Sequence, residues 1–503
     1  MKKAKTMLSN TIANLIGKFW GILSNFIFLP LYINLLGFEN YSIIAFTLIL
    51  ASIMNILDIG LTSTLSREIA SNKNSKKEKF VIFNTLETLY FFVVIACIII
   101  VFSLSSYLSN SWINLNHINP DTVSYFIKIV GVGIGLEILL RFYIGGLLGL
   151  EKQVLANKFI VAWGMLRNGL IVIPIYFFPS LEIFFLWQTC SVVIFVFMVR
   201  FSLLKLLSDN NSTYNFFKID TNVLKNNFAF AFSMLLIALV AAINTQMDRI
   251  FLSKLLPLEI LGFYTIAFSI SRIINVFVGS LNTANLPRIT SLFTSNKEHE
   301  AIEIFNLFFK IITIFIISFG SVMILYGEEI IFVWTNNLEL ASNTGLYIPY
   351  IILGTSALAF QGLFYNIAIA NKFMIYNNII GISSLIATVP LYFFLIENYG
   401  GTGAGLSFAI TQIIILFIYS FLINRKFIKK NLSFYLAVLS SPIIFSVFIH
   451  FLTYHSSLIQ NSRWFILFYI LAVFLIILSV NTLIFFSFKK IRSLLSILQQ
   501  ELH

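Results

Sequence analysis

Seven basic side chains lie inside long apolar runs: Lys18, Lys128, Arg141, Arg167, Arg249, Arg272 and Lys310. Four acids share those runs: Asp58, Glu87, Glu137 and Asp248. A charge at the centre of an apolar helix costs about 2.5–3.5 kcal/mol on insertion scales, so such a residue is expected to face a wet cavity or a partner. The excess is positive, which suits an oxygen-rich anion such as a phosphate or pyrophosphate. Lys18, Arg167 and Arg272 sit near the middle of their runs, and Arg141 is moderately deep. Lys128, Arg249 and Lys310 lie nearer the ends, where a long side chain can snorkel to the interface.

Helical spacing sorts these residues further. Asn14, Lys18, Gly21 and Asn25 follow i, i+4, i+7, i+11 and form one stripe. Arg272, Asn275, Gly279 and Asn282 follow i, i+3, i+7, i+10, and Asn55, Asp58 and Thr62 share a face. Glycines and amides also serve simply to pack helices together. That accounts for the glycines, but not for a Lys or an Arg within two of the stripes. Glu137 and Arg141 are i, i+4 neighbours, and an intrahelical ion pair is expected. Asp58 is read either as the partner of a cavity lysine or as a site for a coupling proton or cation. Asp248 and Arg249 are read as a gate at the outer end of their helix. The candidate set is therefore a cationic lining of Lys18, Arg141, Arg167 and Arg272. Asp58, Asp248 and Glu137 are coupling or gating groups, and Asn14, Asn25, Asn55, Asn275 and Asn282 form a polar stripe.

These residues need elements that hold them in an apolar medium. Of 503 residues, 58% are apolar and 11% charged, with mean hydropathy +0.91. A soluble domain of this length carries far more surface charge. The apolar runs are each about 20 residues or longer, the length of a membrane-spanning helix. They do not alternate as barrel strands do. Fourteen spans are expected, near 9–33, 41–66, 81–107, 122–150, 157–178, 181–203, 226–253, 260–287, 301–326, 343–370, 375–396, 402–423, 433–455 and 464–487. Met1 to Ser9 reads as a basic leader into a full-length span rather than a cleavable signal.

With the N-terminus inside, 24 of the 33 lysines and arginines fall in inside segments or, as Lys158 and Arg200 do, within a turn of the inside end of a span, and two, Lys254 and Arg463, fall outside. This bias places both termini in the cytoplasm of a bacterial inner membrane. It also explains the net charge of +12 without nucleic acid as a partner. Cys97 and Cys190 lie in apolar runs with no CxxC partner, which excludes a disulfide framework and a zinc site. No GxxxxGK[ST] loop is present, so nucleotide chemistry is not expected. Any driving force is expected from a proton or sodium gradient, or from consumption of product outside.

The chain repeats at an offset of about 220 residues. Leu35-Leu36 with Glu39, Tyr41, Asn55 and Arg67 parallels Leu255-Leu256 with Glu259, Tyr264, Asn275 and Arg288. Glu151-Lys152 with Asn157 parallels Asn371-Lys372 with Asn377, and Ile173-Pro174 to Phe178 parallels Val389-Pro390 to Phe394. Six spans per unit make the repeat parallel, a transporter signature with the substrate site between halves. The expected organisation is a six-helix bundle over 1–205, a cytoplasmic linker over 206–225, a second six-helix bundle over 226–424, and two further helices with a tail over 425–503.

Leu29-Pro30-Leu31 through Leu35-Leu36-Gly37, then Asp58-Ile59-Gly60-Leu61 and Arg67, resembles the N-terminal signature of polysaccharide flippases of the O-antigen (Wzx) type. Asp248, Leu261-Gly262-Phe263-Tyr264 and Pro287-Arg288 are similar to the second-lobe signature, and the resemblance covers nearly the whole chain. That superfamily also includes multidrug exporters and lipid II flippases. The resemblance implies a V-shaped, all-α, alternating-access transporter with a cationic lumen. It further implies an undecaprenyl-pyrophosphate-linked repeat unit as substrate. The implied surroundings are membrane lipids, with a polysaccharide polymerase and chain-length machinery as protein partners.

Three rival readings are weighed against it. A cation-coupled multidrug exporter is expected to line its cavity with acids, and this interior is basic. A membrane polymerase would need a large catalytic outer loop; the outer loops are short, their acids being Glu328-Glu329 and Glu339, and His117 and His455 are isolated near outer ends. A lipid II flippase shares the span count and the cationic lumen, and only the local motifs separate it.

Overall fold

In an apolar medium every backbone N–H and C=O must be satisfied within the protein, which leaves helices as the economical answer for these runs. The computed structural model describes residues 20, 24, 26–54, 59–71, 75–115, 118–208, 219–371, 373, 375–453 and 458–486, and these are almost entirely helical. The helices in chain order are α1 (Phe26–Leu36), α2 (Phe38–Met54), α3 (Ile59–Ala70), α4 (Lys76–Tyr107), α5 (Pro120–Gly149), α6 (Gln153–Gly164), α7 (Val172–Phe177), α8 (Leu181–Leu207) and α9 (Thr221–Leu255). They continue with α10 (Leu258–Thr294), α11 (Glu298–Leu325), α12 (Gly327–Thr335), α13 (Leu338–Gly345), α14 (Ile348–Ala370), α15 (Ile375–Ile423), α16 (Leu432–Thr453) and α17 (Arg463–Phe485).

Ten helices among the described residues are long and apolar enough to cross a membrane, and one of them, Ile379–Ile428, covers two of the fourteen expected spans. Its two limbs meet at Gly400 (φ 58°, ψ −137°), a backbone conformation that only glycine adopts readily. The outward faces are apolar: Phe451 is 80% exposed, with Phe201, Trp464 and Phe417 similarly bare. Such a continuous apolar exterior fits a lipid environment.

Two compact units divide the chain, Met1–Gly262 and Phe263–His503. Within the first, α5 packs against α3, α4 and α8. Its small residues allow this. A Cβ on Gly149 would lie 2.7 Å from the Ser66 carbonyl oxygen, and one on Gly145 would lie 2.5 Å from a Thr62 methyl. Glycines four apart thus form the groove into which α3 sinks. Phe142 stacks on Tyr90 at 4.4 Å and on Phe83 at 6.1 Å to close the same core. Helix α9 packs on α2 and α3 in this unit.

In the second unit, α14 packs on α15 and α11, with Phe305, Phe309 and Phe364 at the centre. Helices α16 and α17 lie on α11 around Val322, Tyr326, Ile466 and Ile470. One polar knot sits in that seam: the buried Asn481 amide donates to Ser318 Oγ (2.9 Å) and Ser446 Oγ (3.2 Å). Side-chain hydrogen bonds of this kind hold helices where no hydrophobic force acts between them.

Candidate functional site

The fifth expected span is not a continuous helix. α6 stops at Gly164, residues Met165–Gly169 form a π turn, and α7 begins at Val172. A π turn widens the helix and offsets its carbonyls, and such bulges recur at functional sites. Three side chains from other helices meet those carbonyls. Trp187 Nε1 donates to Leu166 O (2.8 Å), Gln188 Nε2 to Arg167 O (3.4 Å) and the Tyr32 hydroxyl to Asn168 O (2.5 Å). Asn168 in turn donates to Ser24 Oγ at 3.1 Å. The turn is therefore held by α1 and α8.

Arg167 is presented by this turn. Its NH1 donates to Glu137 Oε2 at 2.8 Å, its Nε donates to Gln188 Oε1, and its guanidinium lies 4.9 Å from the centre of the Trp163 ring. Arg141, one turn along α5, donates from NH2 to Glu137 Oε1 at 2.7 Å. One buried carboxylate thus holds two guanidiniums, one on each oxygen. The Glu137 side chain is 7% exposed, against 44% for Arg141 and 24% for Arg167. Two cations this close in an apolar setting need a counter-charge to coexist. With it the cluster holds two guanidiniums against one carboxylate, forked donors of the kind that recognise phosphate oxygens. The expected Glu137–Arg141 pair is present, and Arg167 joins it from a separate helix.

A second ion cluster lies in the same unit. Arg200 Nε (2.7 Å) and the Tyr143 hydroxyl (2.6 Å) both donate to Glu87 Oε1, and the Glu87 side chain is only 2% exposed. Sequence reasoning marked Glu87 as an acid within a span but gave it no partner.

The segment after α4 makes a third polar contact, with the α9–α10 junction. Trp112 Nε1 donates to Ser253 Oγ (3.0 Å), and Lys254 Nζ donates to Ser111 O (2.5 Å). Leu258 N donates to Asn114 O (3.2 Å), beside a parallel bridge between Asn114 and Pro257. The Asn114 amide also reaches Lys254 O and Leu256 O (3.3 and 3.4 Å), carbonyls left over at the end of α9. Nothing in the residue spacing pointed to this tie. Asp248 is fully buried, with its carboxylate 3.8 Å from Arg249 Nε.

In the second unit Arg272 is exposed, Asn275 and Asn282 are half-buried, and a Cβ on Gly279 would meet open space. Asn282 also serves packing, since its backbone carbonyl accepts from the Asn366 amide at 2.8 Å and its side-chain amide abuts Gly362. Lys128 and Lys310 are half-buried. Lys18, Asn14, Asn25, Asn55 and Asp58 lie outside the described residues. Among the described residues no cluster of three or more His, Cys, Asp or Glu could hold a metal ion.

Residues 7–293 match the family described as polysaccharide biosynthesis protein. The chain belongs to that family. It is also 21% identical over 405 residues to a Shigella flexneri protein named "Putative O-antigen transporter", covering 78% of this chain and 91% of that one. Among solved structures, it is similar to the lipid II flippase MurJ in an inward closed conformation, with TM-score 0.75 and 16% identity over 95% of this chain and 98% of that one. An inward-facing multidrug resistance MATE transporter follows, with TM-score 0.66 and 12% identity over 84% and 98% of the two chains. The chain is thus a multi-pass membrane protein, almost entirely helical among the described residues, with the fold shared by those flippase and transporter structures. Its relatives are named for transport and not for catalysis.

Proposed function

We propose that this chain is a flippase that carries undecaprenyl-pyrophosphate-linked oligosaccharide repeat units of O-antigen or a similar surface polysaccharide from the cytoplasmic to the periplasmic leaflet. One observation carries the reading: Glu137 gathers Arg141 and Arg167 into one partly open pair of guanidiniums within otherwise apolar helices. Family membership and the Shigella relative support the polysaccharide class. In this reading Lys18 and Arg272 add to the cationic lining, and Asp58, Asp248 and Glu137 couple or gate. Bundles 1–205 and 226–424 move against each other about the linker 206–225, with 425–503 alongside. Both termini face the cytoplasm of the inner membrane, an ion gradient or product consumption drives the cycle, and the polymerase takes the product.

A second reading, a lipid II flippase, is favoured by the structural likeness to MurJ. Both substrates carry the same pyrophosphate, so the cluster serves either. A deletion strain, with and without the gene, separates them. Loss of surface polymer with cytoplasmic accumulation of the lipid-linked unit supports the first reading. Arrest of wall synthesis and lysis supports the second. Unchanged polymer with altered drug tolerance overturns both.

A further inference from the structure

The cluster around Glu137 contains an internal competitor for the substrate. Each Glu137 oxygen accepts one guanidinium N–H, from Arg141 at 2.7 Å and from Arg167 at 2.8 Å. This places two guanidiniums across one carboxylate, the span over which two oxygens of a phosphate would sit. A second support treats the same arginine differently. Gln188 accepts from Arg167 Nε and also reaches the Arg167 carbonyl at 3.4 Å, a carbonyl offset by the π turn. Gln188 is neutral, and it grips Arg167 through Nε rather than through the NH1 group given to Glu137.

We propose that Glu137 is a resident counter-anion that holds Arg141 and Arg167 at phosphate spacing and yields those guanidiniums to an incoming pyrophosphate, while Gln188 keeps Arg167 aimed. This rests on the flippase reading and adds the step that makes release possible. A cluster of two uncompensated cations would hold a pyrophosphate too tightly to let it go. Glu137 re-forms its two ion pairs as the head group leaves, so the cluster exchanges one anion for another instead of being stripped bare. Glu137 and Gln188 are positioning residues, acting on substrate through the arginines.

The two neighbours of Arg167 then have opposite effects on binding, which a purely structural role for both does not produce. The test uses full-length protein in phosphatidylcholine nanodiscs, with inorganic pyrophosphate titrated by calorimetry. Glu137→Gln removes the competing charge and tightens pyrophosphate binding by about tenfold, equivalent to about 1.4 kcal/mol. Gln188→Leu weakens it. Glu137→Asp, which keeps the charge, stays near wild type and serves as the variant that preserves the ion pairs should Glu137→Gln fail to fold. In cells Glu137→Gln makes less surface polymer despite binding more tightly, because release slows. Weaker or unchanged binding in Glu137→Gln overturns the inference and leaves the flippase reading standing. If Glu137→Gln yields no folded protein, weakened binding by Glu137→Asp overturns it instead. Absence of wild-type binding overturns both.

Discussion

Replacing Arg200 by Met tests which of the two ion clusters is scaffold. Arg200 and Tyr143 share one oxygen of Glu87, at 2.7 and 2.6 Å, and the carboxylate is sealed from solvent. Breaking a buried pair by removing one partner costs about 3–5 kcal/mol, whereas replacing both partners with apolar side chains of similar volume is often neutral. Arg200 is 28% exposed and the Tyr143 hydroxyl still donates, so the low end applies, about 3 kcal/mol for Arg200→Met. The double variant Glu87→Met/Arg200→Met takes away the acceptor of the buried Tyr143 hydroxyl, so it is expected to recover only part of the loss, to within about 2 kcal/mol of wild type. The assay is SDS-driven unfolding of purified protein in mixed micelles, followed by tryptophan fluorescence. Surface polymer in cells is measured in parallel and is expected to persist in the double variant. Arg200→Met within about 0.5 kcal/mol of wild type, or a double variant worse than the single, refutes the reasoning.

Three further outcomes are expected. Arg167→Lys keeps the charge but loses the planar fork that serves Glu137 and Gln188 together. Surface polymer is expected to fall about tenfold or more at unchanged protein level, by gel ladder and immunoblot. Asn114→Cys/Pro257→Cys, in a background with Cys97 and Cys190 replaced by Ser, joins positions paired by a parallel bridge, a separation within disulfide reach. If that contact must part during the cycle, oxidation abolishes polymer export and a reductant restores it; full export by the oxidised protein rejects this. Gly149→Val drives side-chain atoms into the Ser66 backbone, which cannot withdraw without moving α3. A loss of about 1–3 kcal/mol is expected as a lowered thermal midpoint in detergent.

How far the residues could be read without coordinates follows from the range of each interaction. Apolar run length is a local property, so the helical membrane class was legible. The pairing of Glu137 with Arg141 was legible too, because i, i+4 spacing on one helix fixes it. Arg167 lies 30 positions from Glu137, and its reach depends on the π turn at Met165–Gly169. The available hints were Gly164, Gly169 and Pro174 within one apolar run, a sign of an interrupted span. Gln188, Tyr143 and Arg200 had no such signal, because each meets its partner only through packing: α8 on the π turn for Gln188, α4 on α5 for Tyr143 and α4 on α8 for Arg200. Asn282 shows the converse limit. Helical spacing put it on the same face as Arg272, yet its side-chain amide packs at Gly362 of α14.

The two clusters share a composition, carboxylate plus guanidinium inside apolar helices, and differ in what surrounds them. Around Glu87 a tyrosine hydroxyl and a guanidinium fill the same oxygen, and the Tyr143 ring packs against Phe83 and Phe142. Around Glu137 the carboxylate is just as deep, but Arg141 is 44% exposed and Arg167 sits on a turn held through hydrogen bonds to its backbone. Backbone anchoring fixes the turn while leaving guanidinium N–H groups able to change partners. Burial of the acid therefore does not separate scaffold from site. What separates them is the company of the basic partners: Arg200 shares Glu87 with a buried tyrosine hydroxyl, whereas Arg141 and Arg167 share Glu137 with each other, and that difference assigns pyrophosphate exchange to Arg141 and Arg167 and stability to Arg200.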